Sequence, residues 1–195
     1  NGEGSGAAYV VFGKASGFDA TFNLSSLDGN NGFRLEGATA GDNSGRSVST
    51  AGDFNGDGFD DVIVGAYAAD PNGIDSGFAY VVFGKASGFS ASLNLSNLSS
   101  TDGFSLSGLA AGNSLGKAVS SAGDINNDGF DDLIIGAPFA TGGTFNSGVG
   151  YVIFGHSFVA SAAAAAKTIE TDSLDVNSLD ASALLVGVNV STDLM

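Results

Sequence analysis

The sequence predicts an all-β protein of tandem four-stranded antiparallel blades, on three observations: its composition, an internal repeat, and an acidic loop that occurs twice between apolar runs. The 195 residues include 31 Gly, 15 Phe, no Trp and only two Pro. Their β-branched runs are broken by Gly-, Ser- and Asn-rich turns, the pattern of short strands. The stretch Gly6-Ala-Ala-Tyr-Val-Val-Phe-Gly13 returns as Gly77-Phe-Ala-Tyr-Val-Val-Phe-Gly84 and as Gly148-Val-Gly-Tyr-Val-Ile-Phe-Gly155, which sets Tyr9, Tyr80 and Tyr151 at intervals of 71 residues. Asp53 and Asp124 keep the same interval. A constant period without insertion makes each unit one supersecondary block stacked on its neighbour.

On this reading residues 1–155 form the blade region. Repeat units run over 6–76 and 77–147, a third and partial unit starts at 148, and 156–195 is a divergent tail. Within a unit, a strand at 45–50 leads into the acidic loop and one at 60–66 leaves it. A third strand follows a Gly/Asn/Ser turn, at 7–12 in one copy and 78–83 in the next. A fourth, near 33–36 or 104–106, closes the unit. The segment between third and fourth, 20–24 or 91–95, alternates apolar and polar residues and is expected to add an outer edge. Four strands at a period somewhat longer than the ~40 to 50 residues of ordinary propeller blades fit a β-propeller blade with a long outer connection. In the tail, the Ala-rich stretch 161–167 forms a short helix or a link. Residues 173–179 echo 92–98, and 184–186 would replace a fourth strand, so the tail is expected to complete the last blade or to contact a neighbouring subunit.

The loops carry the chemistry. Asp53-Phe-Asn-Gly-Asp-Gly-Phe-Asp-Asp61 and Asp124-Ile-Asn-Asn-Asp-Gly-Phe-Asp-Asp132 both read DxNxDGxxD. Oxygen-bearing side chains at positions one, three, five and nine, with Gly at six for the sharp turn, suit a hard, oxygen-seeking cation, and the ion expected is Ca2+. The first site would use Asp53, Asn55, Asp57, Asp61 and the carbonyl of Phe59. The second would use Asp124, Asn126, Asp128, Asp132 and the carbonyl of Phe130. A bare polar turn needs one or two such residues, and several carboxylates crowded together without a cation would repel one another. An EF-hand is excluded, because its twelfth-position Glu is replaced by Val64 and Ile135 and the flanks are strand-like rather than helical. Asp60 and Asp131, beside the ninth positions, are read as facing solvent or bracing the loop.

Leu115-Gly116, the acidic loop and Gly136-Ala137-Pro138 together resemble the FG-GAP repeat, known from the propeller of integrin α subunits and related bacterial secreted proteins. The resemblance covers roughly residues 6–155. It implies calcium ligands at the positions already named, on the hairpin between a blade's first two strands. The first copy departs from the signatures, with Ser44-Gly45 for Phe-Gly and Gly65-Ala66-Tyr67 for Gly-Ala-Pro. Closed propellers of this kind have about seven blades, whereas the chain holds two acidic loops and opens inside a blade. Further blades upstream in a longer precursor, or another chain on the open edge, are therefore expected.

Six basic against 21 acidic residues give a formal charge of −15, which disfavours nucleic acid or an anionic membrane surface as partner. There is no Cys, so disulfides and Cys-based metal or redox chemistry are excluded. The longest apolar stretch, 158–166, falls far short of the ~20 residues that cross a bilayer, so no membrane insertion is expected. The lone His156 stands where other copies carry Lys14 and Lys85, a surface position. With no second His and no nucleophile beside a base, catalysis is not expected. Asn23, Asn94, Asn97 and Asn189 match a glycosylation sequon, as chance allows in a chain so rich in Asn and Ser. Weak calcium loops fill where free calcium is high, so the expected setting is extracellular, secreted or at the cell surface. The function expected is that of a calcium-binding structural or adhesion protein, such as a subunit of a surface fibre or layer. It would self-associate through edge strands and the C-terminal tail or bind a cell-surface protein or glycan. A calcium-dependent lectin, and a fragment of a larger secreted enzyme, are the alternatives.

Overall fold

A computed structural model describes residues 2–141 and 147–157. Among these residues ten strands follow one another: β1 (Ala7–Val11), β2 (Gly32–Glu36), β3 (Ser47–Gly52), β4 (Asp61–Ala66), β5 (Phe78–Val82), β6 (Ser92–Asn94), β7 (Gly103–Ser107), β8 (Ala118–Gly123), β9 (Asp132–Ala137) and β10 (Val149–Ile153). The only helical elements among the described residues are single 3-10 turns at Leu24–Ser26 and Leu95–Asn97. Each is capped by the preceding Asn, whose side chain accepts the N–H two residues on. Asn23 and Asn94, which matched the sequon, are thus turn caps. The tail segments 161–167, 173–179 and 184–186, and Asn189, lie outside the described residues.

The fold is all-β. β3, β4, β5 and β7 form one antiparallel sheet of four strands, and β8, β9 and β10 repeat its first three. β1 and β2 stand where β5 and β7 stand one repeat later, and pair antiparallel from Ala7 opposite Glu36 to Val11 opposite Gly32. The short β6 adds parallel to β2, with Leu93 opposite Leu35. The outer segment therefore extends the sheet of the neighbouring blade rather than its own. Its sequence counterpart at 20–24 forms no strand.

Packing explains the continuous apolar runs. A strand half-buried on one face alternates, but a strand covered on both faces need not. In β4, Ile63 joins the core between the four-stranded sheet and the β8–β10 sheet, while Val64 joins the core shared with β1 and β2. β5 does the same with Val81 and Val82. Where the covering sheet is absent, equivalent residues are open: Tyr80 is 3% exposed but Tyr9 is 44%, and Ile63 is 0% but Ile134 is 44%. Adjacent blades approach closely at the signature glycines. A Cβ built on Gly65 would lie 1.9 Å from the carbonyl oxygen of Gly116, so any larger residue would force the blades apart.

Both loop-bearing hairpins begin with the same irregularity. The β3–β4 register shifts between Thr50 and Gly52, and the β8–β9 register between Ser121 and Gly123. Gly52 and Gly123 both take φ 66°, a left-handed turn that favours Gly and tilts the following residues out of the ladder. The acidic loops start at the next residue.

Candidate metal-binding loops

The first loop is wrapped around its own side-chain oxygens. The N–H of Asp57 donates to Asp53 Oδ1 and to Asn55 Oδ1, both at 2.9 Å. The N–H of Gly58 donates to Asp53 Oδ2 at 2.9 Å, and that of Phe59 to Asp57 Oδ1 at 2.9 Å. The second loop repeats the set: Asp128 N–H to Asp124 Oδ1 and Asn126 Oδ1, Gly129 N–H to Asp124 Oδ2, and Phe130 N–H to Asp128 Oδ1. Two loops of different sequence at positions two and four thus share one cage, which locates its cause in the Asp, Asn and Gly they have in common.

The ninth position behaves differently from the other three. Asp61 is fully buried, and its carboxylate accepts the N–H of Phe54 at 3.2 Å and of Gly84 at 2.8 Å. Asp132 is buried in the same way, accepting from Ile125 and Gly155, both at 2.9 Å. Each ties its loop to the residue just beyond the third strand, a role that spacing within the loop does not announce. Burial pushes the Asp61 carboxyl up to about 7, with the nearby charges of Asp57 and Asp53 adding to the rise and the N–H groups of Gly84 and Phe54 opposing it.

Of the sequence-predicted positions, Asp53 and Asn55 are brought together by the Asp57 N–H they share, and Asn55 Nδ2 donates to Asp57 Oδ2 at 3.0 Å; Asp124, Asn126 and Asp128 repeat the arrangement. Asp61 and Asp132 each accept one backbone N–H from within the loop and one from beyond the third strand. Among the described residues no three His, Cys, Asp or Glu side chains form a ready cluster for a metal ion. The donor set nonetheless suits a hard divalent cation in kind. Each loop offers three carboxylates and one amide oxygen, and a carboxylate oxygen that accepts one N–H keeps a further lone pair for an ion.

Asp131 does brace a loop, but the neighbouring one: its Oδ2 accepts the N–H of Asp53 at 2.9 Å. Asp60 is exposed. His156 lies at the surface as expected, and its backbone N–H donates to the Phe54 carbonyl at 3.0 Å. Away from the loops, Lys85 pairs with Asp102 at 2.6 Å. Lys85 and Ser99 hold the Asp102 carboxyl below its ordinary range. The sequence offered no sign of that pair, whose members are drawn together by the β5–β7 connection.

Sheets of this topology, each with an acidic loop between its first two strands, define β-propeller-type blades. The FG-GAP repeat matches the chain in two places, residues 44–82 and 116–153, each spanning the first three strands of a sheet and its loop. Integrin alpha-PS5 of Drosophila melanogaster is 38% identical over 110 residues, 56% of this chain and 10% of that protein. Integrin alpha-5 of Xenopus laevis is 34% identical over 116 residues, 57% of this chain and 10% of that protein. Integrin alpha-8 of Homo sapiens is 33% identical over 95 residues, 45% of this chain and 8% of that protein. The chain thus carries two FG-GAP repeats, is similar to integrin α subunits, and spans a tenth or less of the length of these relatives.

Proposed function

We propose that the chain is a calcium-binding structural or adhesion module of an extracellular protein, with one Ca2+ per acidic loop. One observation carries the reading: both loops, 71 residues apart, hold their Asp-Asn-Asp side chains in the same hydrogen-bonded cage above a buried ninth-position Asp. In the first loop Asp53, Asn55, Asp57, Asp61 and the Phe59 carbonyl would hold the ion. In the second Asp124, Asn126, Asp128, Asp132 and the Phe130 carbonyl would do so. Bound calcium would neutralise the crowded carboxylates and stiffen the hairpin between a blade's first two strands. The likeness to integrin α subunits supports adhesion. Among the described residues no helix is long and apolar enough to cross a membrane.

Self-association belongs to the same proposal. The β1 edge away from β2 borders a groove of about 450 Å3 lined by Ala8, Tyr9, Leu35, Val48, Val62 and Val64, and an apolar groove beside a strand edge favours an added strand. The tail would provide a second contact. One observation favours the lectin alternative: a cleft of about 240 Å3 between blades, where Phe12, Phe59, Phe83 and Phe89 meet Asp60 and Lys85, offers aromatic faces beside charged groups. Calorimetric titration with calcium tests the main reading, and two ions per chain are expected. A glycan array on calcium-loaded protein separates the alternatives. Sugar binding would favour the lectin, and concentration-dependent polymers that dissolve in chelator would favour the structural role.

A further inference from the structure

We propose that Asp131 is a positioning residue that couples the two loops, so that metal in the second loop raises the affinity of the first, and the reverse. The inference rests on the calcium reading above. Its geometry lies entirely in this chain.

Asp131 grips the peptide that carries the first ligand of the other loop at two points. Its Oδ2 accepts the Asp53 N–H at 2.9 Å, and its own N–H donates to the Asp53 carbonyl at 3.3 Å. The residue on either side belongs to the second loop's own site: Phe130 supplies a carbonyl there, and Asp132 is the buried ninth position. The Phe130 ring also covers the first loop, since a Cβ on Gly56 would meet its Cε1 at 2.3 Å. Just past β10, adjacent residues tie to the two loops in turn. Gly155 N–H donates to Asp132 Oδ1 at 2.9 Å, and His156 N–H to the Phe54 carbonyl at 3.0 Å.

These contacts make the loops unequal. Phe54 is 0% exposed, while its counterpart Ile125 is 55% exposed. Asn55 is buried, while Asn126 is exposed. The first loop is roofed by the second, and the second is open. Ordering residues 124–132 around an ion fixes Asp131 and Phe130, and these fix the backbone at Asp53 and Gly56 before the first loop fills. Part of the ordering entropy of the first loop is then already met. Because such coupling is a free energy shared by two sites, it must act equally in both directions.

The test is a calcium titration followed by NMR at the amides of Gly58 and Gly129, each of which donates to the first Asp of its own loop. In the parent protein, Asp128→Ala should weaken calcium binding reported by Gly58 about fivefold or more. Asp57→Ala should weaken binding reported by Gly129 by the same factor. In the Asp131→Ala background both dependences should vanish. Asp131→Asn, which keeps an acceptor oxygen for Asp53 N–H, should retain part of the coupling and serves as the second variant if Asp131→Ala does not fold. Hydrogen exchange at the Asp53 amide in chelator should quicken in Asp131→Ala, a readout that needs no metal. If both loops bind calcium but Asp128→Ala leaves the Gly58 titration unchanged, the coupling is wrong and the calcium reading stands. If neither amide responds to millimolar calcium, the calcium reading falls and the coupling with it.

Discussion

Asp61 shows how much one side chain in this fold is asked to do. It is fully buried, joins its loop to Gly84 beyond β5, and lies near two other carboxylates. Its folded-state carboxyl is raised to about 7 from an ordinary value of 3.8. In metal-free protein the folded state therefore keeps a proton that the unfolded chain gives up. The resulting stability is fully present below about pH 4 and is lost as pH rises through 7. Urea unfolding in chelator from pH 4 to 7.5 should show the decline, and Asp61→Asn should flatten it. In calcium, Asp57→Ala and Asp128→Ala should each lower the melting temperature by several degrees, with little change in chelator. Equal loss in both conditions would mean that the side chain acts by something other than metal binding. The gathering of Asp53, Asn55 and Asp57 was legible because DxNxDGxxD sets donor types at fixed spacing. The bond from Gly84 to Asp61 and the reach of Asp131 to Asp53 were not, since Gly84 and Asp53 lie outside the loop that carries the side chain.

At the scale of elements, strand positions were legible where pattern and turn chemistry agree. The third strands, expected at 7–12 and 78–83, form as β1 and β5, and the strands flanking the first loop form as β3 and β4. β6 was legible as an outer segment but its partner was not. Residues 20–24 carry the same kind of alternation and stay out of any sheet, while 92–94 pair with β2. The difference lies in the neighbour offered, not in the residues. The connection that carries β6 is fastened to the preceding blade by the Phe33–Phe89 stack, with centroids 4.1 Å apart, and Lys85 lies 5.2 Å over the Phe89 ring. Phe89→Ala should cost about 2 kcal/mol, less than the ~3 to 5 of a fully buried Phe because Phe89 is only half-buried. Chemical unfolding would measure it, and hydrogen exchange at Arg34 N–H, which donates to the Ala91 carbonyl at 3.0 Å, should quicken in the same variant.

For the molecule as a whole, the repeat made the stacking of blades legible, and the exposure of equivalent residues marks where stacking stops. Tyr9 and Val11 lie open on one end blade, as does Val48 on β3 of the next, and Ile134, Val152 and Phe154 lie open on the other end. Covering a side chain of this size is worth about 1.5 to 3 kcal/mol, so each open face favours association. Sedimentation should show concentration-dependent assembly, weakened by Val48→Lys. An unchanged sedimentation profile in that variant would remove the β1 groove from the contact. The acidic surface, −15 in formal charge, opposes assembly at low salt through self-repulsion, and bound calcium lowers that charge.

The central claim is that the two loops bind calcium in the folded chain. Thermal unfolding at matched ionic strength, in millimolar calcium and in chelator, tests it most directly, because an ion that binds only the folded state stabilises it by about 2.7 kcal/mol at a hundred times its Kd. The account predicts a melting temperature that climbs steadily with calcium, and a smaller climb when either Asp57 or Asp128 is replaced by Ala. A melting temperature indifferent to calcium would contradict it.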